Sequence, residues 1–429
     1  MKKLQSLSSI LKIVFSFVLA FGFIGCNGNI EDNLPKIQAS NLMHGITAQT
    51  VNTVALDEQF RNAAANFSLN LFRNTISDSG NSLISPASVL IALAMAANGA
   101  DGNTLSQMEQ VIGGGMPIAQ LNAYFYSFLK NLTSHPKEKI SISNSIWFRE
   151  LGFTPNRDFL QTNANYFNAD AFAAPFNNQT VNDINTWINK ATDGLIKEML
   201  KLIPQDPPAV LYLINTILFD AEWANIYEKR SVRNGEFTNY DNQKQTAQFM
   251  HSDEYLYIQG NGATGFIKPY HSGRYSFAAI LPDKGVDIFD YIAELSGEEY
   301  FNLIGNANRE RVITALPKFK YEYDVLMNDA LEAMGMEEAF SEETANLSRM
   351  GNWVYGALWI SRVLHKANIA VDERGTKAGA ATVIEPVGPT SGPPTSPHYV
   401  TLDRPFVYAI IDNETNLPLF IGSLLSIPY

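Results

Sequence analysis

Apolar positions recur at helical spacing in the first third of the chain, and at strand spacing or in unbroken runs in the last third. In LDEQFRNAAANFSLNLFRNTI, residues Phe60, Ala64, Phe67 and Leu71 share one helical face. PASVLIALAMAANGA opens with Pro86 in a first turn and stops at Gly99, which predicts a buried helix. GNTLSQMEQVIGGG predicts a short helix capped by Thr104, and VNDINTWINKATDGLIKEML an amphipathic one. ISISNSIWFRE alternates as a strand does. AVLYLINTILFDAEW is nearly continuous, apolar and rich in β-branched residues, which fits a strand covered on both faces. YSFAAILPD, RVITALPKFKYEY and SRVLHKANIAVDE are further strand signals. FVYAIIDNETNLPLFIGSLLSIP predicts a hairpin turning at DNETN. No repeat shows. The pattern is α+β around one core, not alternating βαβ units.

One stretch fits neither regime. Residues 373–385, ERGTKAGAATVIE, are small and strand-like, yet they lead into the Pro/Gly/Ser-rich PVGPTSGPPTSPHYVTLDRP. Side chains alternate faces along a strand. If Thr376 points into a core, so do Ala378, Ala380 and Thr382, all small, while Lys377 reaches solvent. Large or charged residues at those inward positions would be buried unpaired at a cost of several kcal/mol. Gly375 and Gly379 give the backbone freedom. A passive linker needs no such alternating set.

Composition fits a globular protein with a sizeable core: 46% of the 429 residues are hydrophobic and 17% charged. The net charge of −12, with no basic cluster beyond the first dozen residues, gives no reason to expect a nucleic-acid partner. The N-terminus reads differently. MKK, then ILKIVFSFVLAFGFIG, then Cys26 describes an export signal too short for a membrane-spanning helix. Phe23-Ile24-Gly25-Cys26 resembles a bacterial lipoprotein signal, apart from Phe23 where a Leu-like residue is usual. Residues 1–25 are expected to be removed, leaving a lipidated Cys26 as the membrane attachment. Cys26 is the only cysteine, so no disulfide is expected. Polar, aperiodic residues 26–53 read as a tether and 54–429 as the domain.

Chemistry is sparse. Six His residues are scattered with no pair at metal-ligand spacing, and neither HExxH nor a Cys/His cluster occurs, so neither metal nor cofactor is expected. Neither Ser85 nor Ser88 sits in a nucleophile elbow. Together with Asn215 and His365 they lie inside predicted core elements, where a hydrogen-bonded network is the simpler reading than catalysis.

These segments resemble the serpins, in family order, from about residue 56 onward. NSLISPASVLIALAMAANGADGNTLSQM, VNDINTWINKATDGLIKEML, LYLINTILFDAEW, LPKFKYEYD with LEAMGMEEAFSEETANLS, ISRVLHKANIAVDERGTKAGAAT and DRPFVYAIID…LFIGSLLSIP carry the likeness. The resemblance implies a fold of three β-sheets with eight to nine helices and an exposed reactive loop at about 374–404. It implies an inhibitor of serine endopeptidases, with cysteine endopeptidases as a further target class. Cleavage of the loop would let residues 375–386 insert into the main sheet and trap the acyl-enzyme. A non-inhibitory member, acting as a protease substrate or binding protein, is the alternative; an enzyme is not expected.

The resemblance also carries over residues. Ser85, Ser88, Asn215 and His365 match the shutter that controls opening of the sheet. Trp223 and the pair Lys318 and Glu373 match the breach where the loop first enters. Gly375, Thr376, Ala378, Ala380, Ala381 and Thr382 match an inhibitory hinge. Counting 17 residues from Glu373 puts the scissile bond at Pro389–Thr390. Pro is unusual there and the loop is longer than is common, so Val387, Ser391 and the more distant Ile384 stand as alternatives. Small and aliphatic residues at these positions point to elastase-like or subtilisin-like proteases as partners of a monomeric, exported, envelope-bound protein. Pro386 lacks an N–H and would sit late in an inserted strand.

Overall fold

In chain order the first third holds β1 (Ser40–Asn41), α1 (Glu58–Thr75), β2 (Ser82–Ile84), α2 (Pro86–Ala97), α3 (Gly102–Gly113) and α4 (Ile118–Asn131). The middle holds β3 (Glu138–Arg149), β4 (Phe153–Pro155), α5 (Arg157–Phe167), β5 (Asp170–Ala174), α6 (Asn178–Ala191), β6 (Leu211–Glu222), β7 (Val232–Thr238), β8 (Lys244–Glu254), β9 (Tyr257–Gly260), β10 (Ala263–Pro269) and β11 (Tyr275–Pro282). Then follow α7 (Ile288–Glu294), α8 (Gly297–Gly305), β12 (Val312–Pro317), β13 (Phe319–Leu326), α9 (Asn328–Ala333), β14 (Gly351–Trp353), β15 (Arg362–Val371), β16 (Gly375–Thr376), β17 (His398–Thr401), β18 (Phe406–Asp412) and β19 (Pro418–Leu424). This computed structural model describes residues 35–428 apart from 133, 205–207 and 377–395.

The strands form a seven-stranded sheet ordered β1-β5-β3-β6-β16-β15-β13, a six-stranded sheet, a four-stranded sheet, and a two-stranded ladder of β4 and β14. The last was not anticipated. The centre of the large sheet, where α6 crosses it, is covered on both faces, which is why β6 reads as an unbroken apolar run, whereas β13 alternates covered and open positions. On one face Ile146, Leu213 and Val363 join the main core with α1 and α2. On the other, Trp147, Tyr212, Ile214 and Leu364 pack beneath Ile184, Trp187 and Ile188 of α6.

Four local expectations change. Asp101, not Thr104, caps α3; the buried Thr104 hydroxyl instead donates to Glu338 and accepts from the Asn346 N–H. The predicted helix over 181–200 ends at Ala191, where Asp193 and Gly194 take positive φ and terminate it. Residues 36–41, read as tether, belong to the fold: Ser40 and Asn41 pair with Ala173 and Phe172, and the Gln38 and Ala39 N–H groups donate to the Asp183 carboxylate. Residues 398–401, placed in the loop, are a strand paired parallel to β12.

Candidate functional site

Strands β6 and β15 run parallel and pair directly over only four positions, from Tyr212↔Arg362 to Asn215↔His365. At their other end β16 lies between them, antiparallel to both, with Gly375 opposite Glu222 and Thr376 opposite Ala221 on one side and Val371 on the other. The chain reaches this place by reversing within Asp372–Gly375. There the Asp372 carboxylate accepts from the Arg374 and Gly375 N–H groups, and the Asp372 N–H donates to the Gly375 carbonyl. The first residues of the expected exposed loop are therefore buried inside the sheet.

Gly375 is required for a reason other than the expected backbone freedom. Its φ is not left-handed, but a β-carbon there would stand 1.9 Å from the Ala221 carbonyl oxygen. Only a residue without one can pass so close to β6. Thr376, 3% exposed, points into the core and lies 2.5 Å from the buried Tyr270 hydroxyl. Burial pushes the Tyr270 pKa far up, so the hydroxyl stays protonated across the physiological range.

Tyr270 belongs to an aromatic floor. Its ring stacks on Trp223 at 4.6 Å and 8° from parallel. Trp223 in turn holds the hairpin: its indole N–H donates to the Asp372 carbonyl, and its backbone N–H to the Arg374 carbonyl. The Tyr227 N–H donates to the Glu373 carbonyl. Lys318 pairs with Glu373 at 2.7 Å. Burial works to raise the Glu373 pKa, but the Lys318 ammonium and a backbone N–H together outweigh it and the net direction is down. Beneath lies a buried ion pair absent from the sequence reading, Lys268 with Glu254 at 2.7 Å. The Lys268 ammonium sits 4.4 Å from the Tyr227 ring centroid and 5.5 Å from that of Trp223. Burial opposes its charge, Glu254 and Tyr227 together outweigh burial, and the Lys268 pKa rises.

Where direct β6–β15 pairing ends, the other four singled-out polar residues meet. Ser85 caps α2 by accepting from the Ser88 N–H, and its own N–H donates to His365 Nε2 at 3.0 Å. That nitrogen is therefore the acceptor, so His365 is neutral with its proton on Nδ1, directed at Asn215 Oδ1 2.6 Å away. Asn215 Oδ1 also accepts from Ser88 Oγ at 2.9 Å, and its Nδ2 donates to the Leu364 carbonyl. The network ties α2, β6 and β15 together with every polar group used. Burial lowers the His365 pKa to about 3, which keeps the ring neutral. A hydroxyl locked in a cap and an imidazole used on both nitrogens give no nucleophile and base pair. Among the described residues no cluster of three His, Cys, Asp or Glu could hold a metal ion.

The structure thus brings together Ser85, Ser88, Asn215 and His365 as one group, and Trp223, Lys318, Glu373, Gly375 and Thr376 as another. Cys26, Lys377, Ala378, Gly379, Ala380, Ala381, Thr382, Ile384, Val387, Pro389, Thr390 and Ser391 lie outside the described residues. Tyr270 and Lys268 were missed; nothing local in KPYHSGRY marks its tyrosine as the partner of Thr376.

A family model described as serpin (serine protease inhibitor) matches residues 62–427. The chain is 27% identical over 419 residues to an uncharacterized serpin-like protein of Thermococcus kodakarensis, covering 94% of this chain and 95% of that one. It is 29% identical to the leukocyte elastase inhibitor of Xenopus tropicalis, over 85% of this chain and 98% of the relative. The native-state crystal structure of the thermophilic serpin tengpin superposes with a TM-score of 0.87 at 48% identity, covering 91% of this chain and all of that one.

Proposed function

The chain belongs to the serpin family, and from that premise we propose that it inhibits serine endopeptidases as a suicide substrate. The supporting observation is the seated hinge. Gly375 and Thr376 already occupy the first register positions of a strand between β6 and β15, in the one orientation that a strand extending from Val371 can take there. The next rungs need that strand to be prolonged, and the small alternating residues after Thr376 suit it. Cleavage beyond the hinge frees the chain to continue inward while the acylated protease is still attached, and distortion of that enzyme blocks deacylation. The bond cut lies at Pro389–Thr390 or at the neighbouring Val387, Ser391 or Ile384. Its character suits elastase-like or subtilisin-like enzymes, a direction also favoured by the name of the Xenopus relative. The protein acts as a monomer without cofactor, carried to the cell envelope by lipid on Cys26.

Incubation with a panel of such proteases tests this. An SDS-stable covalent complex is the expected product, and a cleaved chain with no complex would instead favour a non-inhibitory substrate. Sequencing the new N-terminus fixes the bond. Cys26→Ala should leave complex formation intact and move the protein out of the membrane fraction.

A further inference from the structure

The two ends of the large sheet differ in what they show to solvent. The hinge lies at the Glu138–Glu222 end, and the Arg149–Leu211 end is the opposite pole, roughly 36 Å away along β3. At that far pole Leu151, Val354 and Tyr355 stand 65%, 65% and 62% exposed. They form one patch. The Val354 N–H donates to the Gly152 carbonyl, and a β-carbon on Gly152 would strike both Val354 and Tyr355. The Trp353 indole N–H donates to the Leu151 carbonyl, and the Trp353 ring lies 5.6 Å from Tyr355 and 5.9 Å from the buried Trp359.

The chain also joins the large sheet from this pole. Strand β1 is antiparallel to β5, so the residues before Ser40 lie toward Ala174, the end of β5 level with Arg149. The Glu150 N–H donates to the Ala174 carbonyl, which puts Leu151 beside that entry point. Cys26 is ten residues before Lys36, a stretch that reaches at most about 35 Å.

We propose that the Leu151–Val354–Tyr355 patch, with Trp353 at its edge, docks on a lipid surface and so turns the hinge pole away from it. This rests on the lipid-anchor reading of Cys26. Tyr and Trp rings suit the interfacial zone of a bilayer, with an apolar body and a polar tip. The contact is apolar, since the net charge of −12 and exposed Glu150 give no attraction to anionic headgroups. Among the described residues no helix is long and apolar enough to cross a membrane, and the contact proposed is a peripheral one.

Trp353 makes the test direct, being the one tryptophan of five that is not buried. The lipidated protein is bound to phosphatidylcholine vesicles carrying brominated acyl chains, and tryptophan emission is read alongside co-sedimentation. Quenching that is insensitive to salt, and largely lost in Trp353→Phe, is expected. Leu151→Asp with Val354→Asp should abolish quenching while co-sedimentation and protease complex formation persist. Sedimenting protein that is quenched no more than Trp353→Phe overturns the proposal. So does a dimer of lipid-free protein that Leu151→Asp dissolves, since a second copy then covers the patch. If the expressed protein carries no lipid, the anchor reading has failed rather than the patch. The mature chain is then coupled through Cys26 to a maleimide lipid and the same quenching decides.

Discussion

The Tyr270 hydroxyl and Thr376 Oγ1 lie 2.5 Å apart in the buried space where β16 enters between β6 and β15. Position 376 therefore has a neutral, protonated partner and no room for charge. Thr376→Arg would desolvate a cation in the core, an expensive change, since the nearby buried acid Glu138 is already held by the Ser272 N–H and hydroxyl. A barrier increase of about 1.4 kcal/mol slows insertion tenfold. The variant should be cleaved at the same bond and at a similar rate, yet yield at least tenfold less covalent complex. Densitometry of complex against cleaved chain with one elastase-like protease measures this; undiminished complex would show that trapping does not need residue 376 seated in the sheet.

Gly375→Ala sets a methyl against the Ala221 carbonyl oxygen, and the atoms it strikes are all β6 backbone, which cannot swing aside as a side chain could. The hinge should unseat. Amide exchange at Thr376 should rise by at least tenfold, and the fraction of attacking protease trapped should drop, with the fold otherwise unchanged. Wild-type exchange at Thr376 would place the close approach in doubt.

His365 makes stability fall in acid. Its pKa is about 3 in the folded protein against 6.5 when unfolded, so below pH 6.5 the unfolded chain takes up a proton that the folded one refuses. Stability contributed by the neutral ring is complete above pH 6.5. It is lost at about 1.4 kcal/mol per pH unit as pH falls toward 3. Urea midpoints at pH 7 and 5 should differ by correspondingly more in wild type than in His365→Asn. Identical shifts in both would remove the histidine from the account.

Lys268→Met should cost about 3–5 kcal/mol, because Glu254 would be left charged and buried. The double change Lys268→Met with Glu254→Leu should recover much of that loss. Thermal unfolding of the single and double variants decides; a double variant no better than the single one would mean the pair was not coupled.

Cleavage near Pro389 should raise the melting temperature by ten degrees or more. A full strand added between β6 and β15 stabilises by several kcal/mol, each worth a few degrees in a domain of this size. Calorimetry on intact and nicked protein reads it, and equal temperatures would argue against insertion.

Much of the site could be read before the structure because its residues sit in long, strongly patterned segments. Ser85 and Ser88 open an apolar helix, while Asn215 and His365 are the polar interruptions in two buried strands; a buried polar group needs a partner. What escaped was set by contacts between distant segments. Both Asp101 and Thr104 are good capping residues, and the choice fell to Glu338 and Asn346, which hold Thr104 from more than 200 positions away. Residues 36–41 looked like tether because two paired residues leave no periodicity, and their docking depends on Asp183 in the distant helix α6. The Asp193-Gly194 stop was in plain sight, and the amphipathic pattern beyond it masked a turn signal.

The short parallel joint between β6 and β15 has a mechanical consequence. A strand growing from Thr376 between them travels from the Glu222 end toward the Leu211 end, and each residue carries its load about 3.3 Å further. A protease attached at the loop would thus be hauled the length of the sheet toward the pole where Leu151, Val354 and Tyr355 stand exposed. Cargo and bilayer would contend for that one face, so completing the trap would prise the domain off the lipid and leave it hanging from its N-terminal leash.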